Sequence, residues 1–439
     1  MTDTLSRDTW WAHAYNTANP LCWGIVTGVP MQLLLKDLHA SATVIGVLLA
    51  IPPAFQLVQL AIAGTIDRLG YKRFALLGWY WRILSVLALA AIALAKDWLQ
   101  VQGLSAVTLV MMVLFLLMVF NALRIISGAA FMPWYSVLVP DHLRGRFLAR
   151  EAAAGTIGSI LTALLCWALF ALNPPGVYAL LFAIAAFFGV LAISFAQRIP
   201  AVPLPAPVAV GAAPPLKAIL SRPFVAQLSF NVLWGLALSG SGVCWVGVLR
   251  DVGQAPASMP ALMPMVGGIT TFLLMPVVGP VVDHTGSRPA LGIGSLLTAL
   301  HLVLWALLAV GILPFGWPAL IVIQTCAAVG GALFGISSTR LLMSVIPIEH
   351  RARGFALQGV VTGAAGMIFP IGWGLCYDGL LTHGYDKAHA YGGIYALSSI
   401  LCVLVVIAAR QLPDPGAHRM RDFVMILARD LRHLVRRAS

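Results

Sequence analysis

Long apolar runs separated by short polar turns leave this chain the least freedom. A helix needs about 20 apolar residues to cross a bilayer. Twelve stretches of the 439-residue chain approach or exceed that length, near 14–35, 42–66, 74–95, 104–133, 151–172, 176–197, 224–249, 258–282, 289–312, 317–341, 354–380 and 390–411. With 60% hydrophobic and 10% charged residues, a water-soluble globule is excluded. Lipid offers the backbone no hydrogen-bond partners, so each run has to be a helix.

One turn is repeated. Asp67-Arg68-Leu69-Gly70-Tyr71-Lys72-Arg73 separates the second and third runs, and Asp283-His284-Thr285-Gly286-Ser287-Arg288 separates the eighth and ninth. Both keep the order Asp-x-x-Gly-x-basic. A second pair agrees: Pro140-Asp141-His142-Leu143-Arg144-Gly145-Arg146 returns as Pro347-Ile348-Glu349-His350-Arg351-Ala352-Arg353. Two motifs recurring at nearly the same offset imply a duplicated membrane unit. The expected fold is therefore all-α, with twelve transmembrane helices in two pseudo-symmetric six-helix halves. We draw the parts as 1–197, a proline-rich linker 198–223, 224–411, and a basic tail 412–439.

At these residues the chain resembles the major facilitator superfamily, whose loop after the second helix reads G-x-x-x-D-R-x-G-R-K. Asp67, Arg68, Gly70 and Lys72 match, while Ala63 and Tyr71 depart; the second copy keeps Gly279, Asp283, Gly286 and Arg288. The resemblance implies transport by alternating access, gated by Asp67, Arg68, Gly70, Lys72, Asp283, Gly286 and Arg288. It also implies a cavity lined by the first, fourth, seventh and tenth helices. The family's fourth-helix pattern R-x-x-Q-G-x-G-A-A is followed loosely by Arg124-Ile125-Ile126-Ser127-Gly128-Ala129-Ala130. In that family this arginine is associated with proton transfer or substrate binding.

Charge sets the expected topology. Of the 27 Lys and Arg, 21 fall on the side of the repeated loops and both termini, four on the other side, and two (Arg82, Arg124) within spans. Short cytoplasmic loops collect Lys and Arg, so both termini are expected in the cytoplasm, in a bacterial inner membrane. The same distribution argues against reading the net charge of +12 as a nucleic-acid surface. In the tail, Phe423, Ile426, Leu427, Leu431, Leu434 and Val435 recur at helical spacing among arginines. Such a helix is expected to lie on the anionic inner leaflet. The six cysteines fall inside apolar runs, without metal-ligand spacing, and read as buried thiols. Neither a metal nor a cofactor is expected, and residues 1–20 carry no signal-peptide pattern.

A charge placed at mid-bilayer costs about 2.5–3.5 kcal/mol even on lenient scales. The 15 acidic residues read as lying in loops, tails or helix ends, so Arg82 and Arg124 stand out, with His301 as a weaker candidate. Two deep cations without a nearby carboxylate suit an anionic or zwitterionic solute. Asn121 lies one turn from Arg124. Polar stripes complete the candidate set: Asn19 and Trp23 in the first run, Gln227, Asn231 and Trp234 in the seventh, Gln324 in the tenth. The reading is a secondary active or facilitative transporter of a small solute, with protons as a possible coupled ion, and not an enzyme. The alternatives are a multidrug/proton exporter, against which the missing fifth-helix G-P-x-x-G-G counts, and a non-transporting receptor or assembly factor of the same fold.

Overall fold

The computed structural model describes residues 9–58, 66, 68–140, 143–202, 220–346, 351–414 and 417–438. Among them the chain is helical, without strands. In chain order the helices are α1 (Thr9–Thr27), α2 (Val29–Asp37), α3 (Ala42–Val58), α4 (Tyr71–Val101), α5 (Ala106–Gly128), α6 (Phe131–Leu138), α7 (Arg144–Leu172) and α8 (Val177–Arg198). They continue as α9 (Arg222–Gly247, running into a π turn at Val248–Val252), α10 (Ser258–Thr285), α11 (Ser287–Ala309), α12 (Trp317–Val345), α13 (Arg351–Thr382), α14 (Lys387–Arg410) and α15 (Met420–Ala438). Eleven helical segments are long and apolar enough to span a membrane, and α3 is a shorter apolar one. The protein is an integral, multi-pass membrane protein with the expected twelve helices.

The chain separates into two compact units, residues 1–209 with 254–265, and residues 210–253 with 266–439. Within each, one side of a helix is buried and the other exposed. On α4, Phe74, Trp79, Arg82, Val86 and Leu89 are buried. Leu77, Trp81, Leu84 and Leu87 on the same helix are about half exposed or more. Such a surface would be costly in water and belongs in lipid.

Two expected spans are broken. The first divides at Gly28, with Pro30 in the opening turn of α2. The fourth divides between Gly128 and Phe131, where the amides of Ala129 and Ala130 bond three residues back, to Ile126 and Ser127. That tightening interrupts the α-helix directly after Arg124, so the continuous helix expected over 104–133 is two.

The tail helix also differs from expectation. Phe423 is fully buried against Val277, Val278, Val281, Val282, Ala290 and Leu333, with Ile426 and Leu427 beside it. These members of the apolar stripe meet protein, and Val424 and Met425 remain exposed. Side chains beyond Arg429 lie outside the described residues, as does linker 203–219. Four of the six cysteines are buried, Cys326 is half-buried and Cys376 is exposed, which corrects the expectation for the last.

Candidate functional site

Three helices of the amino-terminal unit bring the two arginines into one region. A Cβ on Gly78 of α4 would lie 1.7 Å from Ser127 Oγ of α5, so glycine is what lets these helices approach. Arg82 is one turn past Gly78, and Arg124 about one turn before Ser127.

Arg82 is fully buried. Its Nη2 donates to Asn19 Oδ1 of α1 at 3.0 Å, and its guanidinium lies 3.7 Å from the centre of the Trp79 ring. Its Nε and Nη1 have no partner among the described residues. Arg124 Nη2 donates to Asn121 Oδ1 at 3.2 Å, and its guanidinium sits 5.4 Å from the Trp23 ring. Arg124 Nε is likewise buried without a partner. Asn121 is itself fixed, donating to the Leu117 carbonyl at 2.9 Å.

Beside them opens a cavity of about 500 Å³, lined by Tyr15, Asn16 and Asn19 of α1, Gln56 of α3, Trp79, Arg124, Gly128, Phe131, Tyr135 and Glu151. Its walls are aromatic. Tyr15 and Phe131 stack with centroids 4.8 Å apart, and Trp79 lies 4.7 Å from Tyr15 and 5.1 Å from Phe131. Two further donors, Trp79 Nε1 and the Tyr135 hydroxyl, are buried without partners. Arg82 does not line the cavity; it stands behind Asn19 and Trp79.

Glu151 corrects the sequence reading. A span begun at Glu151 puts that carboxylate at a helix end, but α7 starts at Arg144 and carries Glu151 about two turns inside. It is 7% exposed, and Oε1 lies 2.7 Å from His13 Nδ1. Asn16 Nδ2 donates to the Glu151 carbonyl at 2.7 Å. The helices meet closely further along, where a Cβ on Gly158 would fall 2.3 Å from the Thr17 carbonyl.

A model of the Major Facilitator Superfamily matches residues 249–424. Solved structures share the fold over nearly the whole chain. A mutant of the nucleoside transporter NupG is 13% identical with a TM-score of 0.73, covering 92% of this chain and all of that one. A bacterial homologue of the iron transporter ferroportin, inward-facing, is 15% identical with a TM-score of 0.67, covering 93% of this chain and 99% of that one. A bacterial homologue of the human lysosomal transporter Spinster is 14% identical with a TM-score of 0.62, covering 96% and 94%. No curated protein sequence matches the chain.

Residues 249–424 are thus similar to the major facilitator superfamily, and the chain as a whole shares the fold of these solved transporters.

The two repeated loops share one backbone feature. Gly70 and Gly286 each precede a helix and take positive φ, 79° and 93°. Asp67 lies outside the described residues, and Arg68 is exposed. Lys72 Nζ donates to the Gln197 and Ile199 carbonyls at 2.6 and 2.8 Å. It thereby caps the carboxyl end of α8, where the dipole favours a cation. In the second loop, Asp283 faces Arg340, Oδ1 to Nε 3.5 Å, and Arg340 Nη1 also donates to Ser287 Oγ at 3.2 Å. The amides of Ser287 and Arg288 donate to Asp414 Oδ2 at 2.7 and 2.9 Å.

The polar stripes of the seventh and tenth expected spans form a different kind of cluster within the carboxyl-terminal unit. Gln227 Nε2 donates to Ser338 Oγ at 3.0 Å and to Asn231 Oδ1 at 3.3 Å, and Ser338 Oγ donates to Asn231 Oδ1 at 2.9 Å. Trp234 stacks on Phe334 with centroids 4.2 Å apart. Gln324 lies against Gly267, where a Cβ would sit 2.9 Å from Nε2. His301 is held between Ser241 Oγ at 3.3 Å and the Ile323 carbonyl at 3.0 Å, a buried structural setting.

Sequence reading missed Tyr15, Tyr135, Asn16, His13 and Glu151. Asn16 was accessible, standing three before Asn19 and so on the same face. The aromatics carried no signal distinguishing a cavity wall from core.

Proposed function

We propose that the chain is a transporter that moves a small anionic or zwitterionic solute across a bacterial inner membrane by alternating access. The observation that supports this is the set of buried guanidinium N–H groups, Arg82 Nε and Nη1 and Arg124 Nε, left without partners beside a cavity. An unsatisfied donor on a charged group costs more than the usual about 1–3 kcal/mol, and a carboxylate or phosphate removes that cost through charge-assisted hydrogen bonds. Arg124 is proposed to touch the solute, with Asn19 beside it. Arg82 positions Asn19 by occupying its carbonyl oxygen, which turns the amide nitrogen away. Asn121 orients Arg124, and Trp23 covers its guanidinium. Gln227, Asn231, Trp234 and Gln324 act as scaffold for the second unit. The two motif loops act as gating elements, and the exposed arginines of α15 face anionic lipid.

The test is flux into proteoliposomes of matched anionic, neutral and cationic solutes. Anion flux is expected, reduced in Arg124→Lys, which keeps the charge and loses the planar fork, and abolished in Arg124→Ala. Preferred cation flux that survives Arg124→Ala points to an exporter of cationic drugs. Absence of any flux points to a receptor or assembly factor. Orientation is tested separately. Cysteines at Leu69 and His284, both exposed, are expected to resist an impermeant thiol reagent on intact cells, whereas one at Asp97 is expected to react.

A further inference from the structure

Arg124 and Glu151 line the same cavity and form no ion pair with each other. The carboxylate is held instead from behind: His13 takes Oε1, and Asn16 takes the backbone carbonyl of the same residue. Glu151 Oε2 accepts no hydrogen bond from a described residue. The opposite wall is a donor wall. Arg124 contributes its guanidinium, and Asn19, whose carbonyl oxygen is occupied by Arg82, presents its amide nitrogen. Hydrogen bonding fixes that amide orientation. The cavity therefore has a positive pole on α1 and α5 and a negative one on α7. The rings of Tyr15, Phe131 and Tyr135 line the same cavity.

Opposite charges left apart on the walls of one cavity, each largely buried, cost free energy that a bridging ligand of complementary charge recovers. A simple anion fills one pole and leaves the other; a cation does the reverse. Resting on the anion site proposed above, we infer that the cavity takes a zwitterion: a carboxylate at Arg124 and Asn19, an ammonium at Glu151, and a flat apolar body between. Aromatic side chains favour offset or edge-on contact with another ring, and about 500 Å³ leaves room for one. The carboxylate at Arg124 gains the bidentate geometry that guanidinium offers. The ammonium meets a carboxylate already oriented by His13, so less ordering cost remains at that end.

Three probes share one body and differ in charge: benzoate, 4-(aminomethyl)benzoate and benzylamine. Equilibrium binding of each to the full chain in detergent tests the inference. The wild type is expected to prefer 4-(aminomethyl)benzoate over benzoate by about tenfold or more, the worth of one added charge-assisted hydrogen bond. Glu151→Gln is expected to bring that ratio down to about one. Since this change also removes the partner of His13, Glu151→Asp serves beside it and is expected to retain a preference; unfolding midpoints of both unliganded variants show whether they fold. Equal or tighter binding of benzoate in the wild type overturns the zwitterion and leaves the anion site standing. A preference that survives Glu151→Gln overturns the role of Glu151. Tightest binding by benzylamine, unchanged in Arg124→Ala, overturns both. Failure of all three to bind overturns the flat-bodied zwitterion, and the flux panel then decides the anion reading by itself.

Discussion

The two units share a scaffold and differ in how they treat their buried polar groups. In the carboxyl-terminal unit, Gln227, Asn231 and Ser338 bond to one another, and His301 has partners on both nitrogens. In the amino-terminal unit, five donors on Trp79, Arg82, Arg124 and Tyr135 face no acceptor. Gln227 Oε1, Ser337 Oγ, Gln358 Oε1 and Ser398 Oγ are left over in the carboxyl-terminal unit, all on uncharged groups, and a network so nearly closed specifies packing. An open one, retained at a cost, marks a place where something else completes it. In the amino-terminal unit the open donors stand beside a cavity whose wall carries Arg124 and Glu151.

The sharpest way to break this contrast is to remove one member from each network. Arg124→Ala is expected to lower anion affinity by about a hundredfold, as loss of a buried charged partner does, with modest change in the unfolding midpoint. Asn231→Leu strips an acceptor from Gln227 and Ser338 and is expected to cost about 1–3 kcal/mol of stability, with affinity nearly unchanged. Anion binding and thermal unfolding measured on both proteins decide the matter. If Asn231→Leu abolishes binding while the protein stays folded, the carboxyl-terminal network belongs to the site and the contrast fails.

Much of the scaffold was legible in the sequence because lipid imposes one solution on a long apolar run. The repeated Asp-x-x-Gly-x-basic turn located the duplication, and Gly70 and Gly286 do take the same left-handed backbone. Arg82, Arg124, Asn19 and Asn121 stood out in the sequence because charge and amide groups within spans are rare enough to notice, and the structure brings them into one region. What stayed hidden depends on where helices begin and cross. The span containing Glu151 was read from its apolar content, and its helix extends into the basic loop, where Arg and Leu are good helix formers. The breaks at Gly28 and at Ala129–Ala130, and the docking of Phe423, are tertiary effects with no local period.

The second contrast lies in the motif loops. Both glycines take positive φ, so alanine at either is expected to cost about 1–2 kcal/mol. Among the described residues nothing lies within 4 Å of a Cβ on Gly70, whereas one on Gly286 would fall 2.9 Å from both Ala417 Cβ and Asp414 Oδ2. Gly286→Ala should therefore lower the unfolding midpoint clearly more than Gly70→Ala. Equal shifts in detergent would mean that the segment around Ala417 moves aside freely.

The smallest effect expected concerns how that segment is held. Asp414 accepts from two amides in the first turn of α11, where donors have no intrahelical partner and the helix dipole favours an anion. His418 adds a bond from its amide to the Thr285 carbonyl at 2.8 Å, and Phe423 anchors the following helix. Among the described residues nothing comparable fills the space at Gly70, so the tail distinguishes the two loops. Asp414→Asn keeps an acceptor and loses the charge, which is worth about 0.3–1 kcal/mol at a helix start. Hydrogen exchange of the amides of Ser287 and Arg288 should quicken by about two- to fivefold, since that energy enters exponentially. Exchange at Tyr71 and Lys72 should not change, because Asp414 bonds the amides of Ser287 and Arg288 and not theirs. Unchanged exchange at Ser287 and Arg288 would show that the Asp414 charge does not hold the second loop, and the loops would then differ in neighbours but not in restraint.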